Sequence, residues 1–136
     1  MATNRRRFLS CALCAAGGVL AATVGARAQA PGFTRTVLNR IEGPGSDMVT
    51  LQVLVEIDPN VAVAWHTQPG TETGYIAEGG GTFGMKGQAD RAVKPGDSFQ
   101  VPTEVPHDLR NGAARTRVVS VYVVDKTKPL ATLVQG

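Results

Sequence analysis

Between Met48 and Ile57 the chain alternates almost without a break, with Val49, Leu51, Val53, Val55 and Ile57 on one side of an extended backbone and Thr50, Gln52 and Glu56 on the other. A period of two is the pattern of a strand with one buried face, and it excludes an amphipathic helix here. Asp58-Pro59-Asn60 ends the segment as a turn. From Phe33 onward the remaining apolar segments are short and separated by Gly, Pro and Asn, and none holds a helical period for long. Strands are expected near Val61 to His66, Glu72 to Ala77 and Thr82 to Met85, with Gly79-Gly80-Gly81 as a tight hairpin turn between the last two. Further turns are expected at Lys86-Gly87-Gln88, Pro95-Gly96-Asp97 and Asn111-Gly112. The segment Arg117 to Val124 is apolar on both faces around Val118, Val119, Val121 and Val123, as expected of a central strand covered by a second sheet. Short strands at this spacing imply an all-β sandwich or jelly roll.

The N-terminus has a different grammar. Asn4-Arg5-Arg6-Arg7-Phe8-Leu9-Ser10 precedes an almost uncharged run from Cys11 to Val24 and the small-residue stretch Gly25-Ala26-Arg27-Ala28-Gln29-Ala30. Basic, apolar and cleavage regions in that order are those of a signal peptide. The run falls short of the roughly 20 apolar residues that span a bilayer. Cleavage after Ala30 would place Pro31 just past the scissile bond, so residues 1–28 are expected to be removed and the mature domain to be 29–136. The arginine pair followed by Phe-Leu resembles the twin-arginine export signal, which implies a periplasmic or secreted protein free of the membrane after processing. Cys11 and Cys14 both fall in the leader, so their spacing is neither a redox nor a zinc motif of the folded domain. Arg5, Arg6, Arg7 and Arg27 account for four of the 14 basic residues, so the ten that remain face all 11 acidic ones and the net charge falls from +3 to −1. The basic character belongs to the leader, and no nucleic-acid partner is expected.

The chain has only two histidines, and each stands beside a turn: Trp65-His66-Thr67-Gln68-Pro69-Gly70-Thr71-Glu72 and Val105-Pro106-His107. In a strand His66 and Gln68 project to one face, and Glu72 can re-enter that face after the Pro-Gly turn. Strand alternation turns Trp65 and Tyr75 away from that face and places Ala62, Ala64, Gly74 and Ile76 on it, small or apolar neighbours that would leave an open, dry cavity.

These residues resemble the two motifs of the cupin family. The first runs Gly, five residues, His-x-His, three or four residues, Glu, six residues, Gly, and the same register here holds Asn60, His66, Gln68, Glu72 and Gly79. The second runs Gly, five residues, Pro-x-Gly, two residues, His, three residues, Asn, and is met by Gly96, Pro102, Glu104, His107 and Asn111. Asn60 in place of Gly is mild because Asn tolerates a left-handed turn, Glu104 in place of Gly is a loop change, and Gln68 in place of the second histidine is the serious departure.

The resemblance implies a double-stranded β-helix, a jelly-roll barrel, with one divalent transition metal (iron, manganese, nickel, copper or zinc) held by His66, Gln68, Glu72 and His107. Two imidazoles and a carboxylate suffice for such an ion and leave positions open for substrate or oxygen. Gln68 either contributes its amide oxygen or leaves a position to water. The competing reading is a degenerate site that has lost its metal. Because one fold hosts many activities, three functions are carried forward: a metal-dependent, dioxygenase-like enzyme acting on a small organic molecule, with Glu72 as metal ligand or general base; a redox-neutral isomerase, decarboxylase or lyase; and a non-catalytic module that binds a small ligand. A homodimer is compatible with the Val-rich strand and the apolar tail Pro129 to Val134, which would cover a sheet edge in the same or a partner subunit.

Overall fold

The alternation of Met48 to Ile57 becomes one long strand in the middle of a two-sheet barrel. A computed structural model describes residues 31–136, so the expected leader, with Cys11 and Cys14, lies outside the described residues. Ten strands are described, in chain order β1 (Phe33–Glu42), β2 (Met48–Ile57), β3 (Ala62–Thr67), β4 (Gly70–Glu78), β5 (Gly81–Met85), β6 (Arg91–Val93), β7 (Ser98–Val101), β8 (His107–Asn111), β9 (Thr116–Asp125) and β10 (Thr132–Leu133). One sheet has the order β1-β2-β9-β4-β7 and the other β10-β3-β8-β5-β6. Every pairing is antiparallel. Two antiparallel sheets face to face form the expected all-β jelly roll.

The inner face of the first sheet supplies most of the core. Val49, Leu51, Val53, Val55 and Ile57 of β2 are all buried, as their period of two requires, and they lie beside Val118, Tyr122 and Val124 of β9. Strand β9 is central, as expected from its valines, but its outer face is not covered: Val121 is exposed opposite Thr73 of β4, and Tyr75, opposite Val119, is exposed on the same face. The second sheet closes the core with Phe83, Val93 and Leu109. Strand β1, an edge strand whose residues had no clean alternation, carries Phe33 into the core and leaves Val37, Leu38 and Ile41 exposed.

Two expectations about the turns are corrected. Gly79-Gly80-Gly81 is not a hairpin turn, because β4 and β5 belong to different sheets and the glycines carry the chain across the barrel edge. Gly79 has φ +74° and Gly80 φ +140°, and a Cβ on Gly79 would overlap Arg115 and Thr116, so both backbone angle and space require glycine. Gln68-Pro69 likewise crosses from β3 in one sheet to β4 in the other, so His66 and Glu72 face each other from opposite sheets instead of sharing one strand face. The C-terminal tail settles on its own subunit: β10 pairs with the β3 edge, and Val134 N–H donates to Trp65 O at 3.0 Å.

Candidate metal centre

The register of β3, β8 and β4 gathers the expected residues. His66 pairs directly with His107, and their rings lie 4.2 Å apart between centroids. From the opposing sheet Glu72 enters beside Tyr122 of β9, and its Oε2 stands 3.4 Å from His107 Nε2. His66, Gln68, Glu72 and His107 are all buried, Gln68 to 1% exposure.

A bulge in β3 between Val63 and His66 sets the aim of His66. It also corrects the expected alternation. Ala62 and Ala64 are exposed, and it is Val63 that shares a cavity wall with His66. Gly74 and Ile76 point inward as expected, and neither Trp65 nor Tyr75 lines that cavity. The space is not the open chamber expected: about 40 Å³ remains, because Gly74 leaves its Cβ volume to the ring of Phe99.

Second contacts fix the donors. The Nδ1–H of His66 donates to Ala64 O at 2.9 Å and that of His107 to Val105 O at 3.0 Å, which leaves Nε2 as the remaining ring nitrogen of each. Glu72 accepts from Gln68 Nε2 through Oε2 and from Ser120 Oγ through Oε1, both at 2.7 Å. Burial alone would push the Glu72 carboxyl up, but His107, Ser120 and Gln68 together hold it below the usual carboxylate range. Burial, reinforced by the neighbouring His107, pushes His66 down to about 4, so its ring is neutral near pH 7. Burial and the charge of Glu72 push the Tyr122 hydroxyl up, and it stays protonated.

The donor set fits a divalent cation. His107 Nε2 and Gln68 Oε1 are buried without a hydrogen-bond partner, and a buried polar atom left unpaired costs about 1–3 kcal/mol unless something such as an ion satisfies it. Among the described residues, however, no three His, Cys, Asp or Glu side chains are grouped closely enough to hold a metal ion as they stand. His66, His107 and Glu72 are adjacent, and Gln68 acts on Glu72 through its amide N–H.

Three residues of the site were not singled out from sequence. Ser120 and Tyr122 lie on the buried face of β9, and the signal for them is two hydroxyls at i and i+2 in a run of valines. Arg35, on the inner face of β1, lines the cavity with His66 and Glu72. The second motif proves structural beyond His107. Asn111 Nδ2 donates to Ile57 O, Asp58 O and Ala114 O, and its Oδ1 accepts from Gly112 N–H, tying the turn after β2 to the turn after β8. Asn60 has φ +61° and Glu104 φ +59°, so both non-glycine residues adopt the left-handed conformation that glycine takes readily.

Comparison with known proteins agrees with this fold. Acireductone dioxygenase from Rhodopseudomonas palustris (strain TIE-1) is 35% identical over 92 residues, covering 63% of this chain and 56% of that protein, and its counterpart from strain ATCC BAA-98 / CGA009 matches equally. The chain thus spans about half the length of these curated relatives. Among solved structures, the DMSP lyase DddQ from Ruegeria pomeroyi DSS-3 superposes with TM-score 0.63 at 24% identity over 74% of this chain and 51% of that one. The polyketide cyclase RemF from Streptomyces resistomycificus superposes with TM-score 0.61 at 22% identity over 78% and 73%. At such identities these structures are alike in fold alone. A family model described as Cupin domain matches residues 53–122, from the middle of β2 through Tyr122, and with both motifs in register the chain belongs to the cupin superfamily.

Proposed function

We propose that this chain is an exported, metal-dependent cupin enzyme that acts on a small organic molecule, with dioxygenase-like chemistry. The observation that carries the reading is the pair of buried imidazoles, each fixed through Nδ1, beside a carboxylate held ionised in the same cavity. The 35% identity to an acireductone dioxygenase supports oxidative chemistry on a small substrate. The basic, apolar and small-residue regions of residues 1–28 support export to the periplasm by the twin-arginine route.

In this reading His66, His107 and Glu72 hold the ion, and Gln68 positions Glu72 through its amide N–H. A divalent transition metal bound there supplies a Lewis acid and, where it is redox-active, a path for electrons between substrate and dioxygen. Val63, Phe99 and Leu109 give the cavity apolar walls. Ser120 and Gln68 keep Glu72 deprotonated, which leaves it able to hold the ion or to take a proton from a substrate. A redox-neutral reaction at the same site would turn over without consuming oxygen.

The test is elemental analysis of the mature protein recovered from the periplasm without added metal, beside His66→Ala and His107→Ala. One transition-metal ion per chain, lost in both variants, is the expected result. A folded wild-type protein that carries no metal and is not stabilised by adding any would overturn the reading.

A further inference from the structure

We propose that a cleft at the seam between the two sheets seats a flat, uncharged organic molecule bearing oxygen substituents, and that Phe99 is the specificity-determining gate through which the reacting end of that molecule meets His66, Glu72 and His107. The inference rests on the metal-enzyme reading and deepens it by naming the substrate class of that site. The inner cavity does not take such a molecule whole. It holds about 40 Å³, whereas a single benzene ring fills a cavity of about 150 Å³. The cleft, of about 430 Å³, has room for a ring and its substituents. It lies where β7, the edge strand of one sheet, runs beside β6, the edge strand of the other.

Aromatic rings stand between the two spaces. Phe99 lines both and stacks on Phe83 at 4.6 Å between centroids, while Phe83, which also lines the cleft, lies 6.3 Å from the His107 ring. A molecule in the cleft is thus a single ring away from the inner site. Gly74 makes this possible: a Cβ there would overlap the tip of the Phe99 ring, so the ring lies in a notch of β4 and closes the cavity from that side. Phe99 is carried by an edge strand of four residues, and β6 across the seam has three. Edge strands this short open locally at small cost, and turning one ring joins cleft to cavity. The lining gives the class. Phe83, Phe99 and Met85 form an apolar, polarisable wall that favours a planar ring by stacking and thioether contact. Gln100 Nε2 reaches Thr73 Oγ1 only at 3.5 Å, a long contact that a hydroxyl or carbonyl oxygen of a ligand replaces readily. Among the described residues of the lining there is no carboxylate, and its one cation, Arg91, is engaged with Ser98 O at 2.9 Å.

Phenol is the probe, and cyclohexanol, which keeps the hydroxyl and loses the flat face, is its counterpart. Both are titrated into the protein as purified and after chelator treatment, with aromatic 13C NMR of phenylalanine as the readout and the Phe99 signal assigned through Phe99→Leu. Phenol is expected to shift the Phe99 signal saturably in either form and to bind about three- to tenfold more tightly than cyclohexanol, a preference that Phe99→Leu should lose. A Phe99 signal that phenol leaves unmoved, or equal affinities for the two probes, overturns the proposal. The gate is read from the rate at which pyridine-2,6-dicarboxylate extracts the metal. Phe99→Ala should speed extraction at least about tenfold, and saturating phenol should slow it in the wild-type protein. Val93→Ala, a core truncation that lines neither space, should change it little. Extraction from Phe99→Ala no faster than from Val93→Ala overturns the gate. Should Phe99→Ala fail to fold, the wild-type rate decides, and a rate that phenol leaves unchanged overturns the gate. Absence of metal from the wild-type protein would sink the enzyme reading separately, and the phenol titration of the chelator-treated protein would still judge the cleft by the same criterion.

Discussion

Glu72 is held by two donors that differ in kind. Gln68 reaches it from the crossing between the sheets, while Ser120 reaches it from the neighbouring strand at 2.7 Å with its own side chain fully buried. Removing the hydroxyl leaves Glu72 Oε1 buried without its donor, so Ser120→Ala is expected to cost about 1–3 kcal/mol in urea denaturation and to raise the Glu72 pKa. A stability equal to wild type would mean that water takes the place of the hydroxyl. Gln68→Leu removes the other donor and the orphan amide oxygen together. It is expected to weaken metal affinity by about 10–100-fold, measured by competition with a chromophoric chelator. The motif spacing made His66, Gln68, Glu72 and His107 legible as a set because ligand types recur at fixed offsets. Ser120 and Arg35 escaped notice because their roles depend on which strands become neighbours, and register between distant strands is not written in local spacing. Glu104 in place of glycine is explained at this scale too: its φ of +59° is the conformation for which glycine is the ordinary choice, and its N–H donates to Gln68 O at 3.0 Å.

Strands were legible where alternation was strong and illegible where an irregularity reset it. Strand β2 follows its period of two from Met48 to Ile57, whereas the bulge in β3 exchanges the faces of Ala62 and Val63 by offsetting the chain one residue before His66. A bulge of this kind leaves no compositional trace in Val61-Ala62-Val63-Ala64-Trp65. The glycine triplet read as a hairpin for a related reason, since positive φ marks a sharp corner without saying whether the chain returns to its own sheet or crosses to the other. Gly74 shows the same coupling between strands. It faces Phe99 on β7 in register, and any Cβ there would overlap that ring. Phe99 stacks on Phe83 at 4.6 Å between centroids and lines both the inner cavity and the outer cleft, so the ring is a partition between them. Gly74→Ala is therefore expected to destabilise by about 1–3 kcal/mol, and Gly74→Ala with Phe99→Leu to recover much of that loss. Additive effects in the double variant would show that the ring yields without strain.

At the scale of the whole barrel, the site's cost appears as a dependence of stability on pH. His66 titrates from an ordinary value of 6.5 in the unfolded chain to about 4 in the folded one. Folding therefore binds fewer protons between those values, and the unfolded state gains protons first as the pH falls. The contribution of a neutral His66 is fully present above about pH 6.5, is lost progressively as the pH drops toward 4, and changes no further below that, with an upper bound of about 3 kcal/mol. The carboxylates that fold with lowered values, Glu42, Glu72, Asp97 and Asp125, run in the same direction but act below their ordinary range near pH 4, whereas Asp108, raised by burial, runs in the opposite sense. Urea denaturation of the metal-free protein at pH 7.5, 6 and 5 should show stability falling across that interval, and His66→Gln should flatten the slope. Loading the metal should steepen it, because an ion that needs the unprotonated Nε2 competes with the same proton. An unchanged slope in His66→Gln would move the pH dependence away from this ring, and a slope that metal leaves untouched would remove His66 from the ligand set.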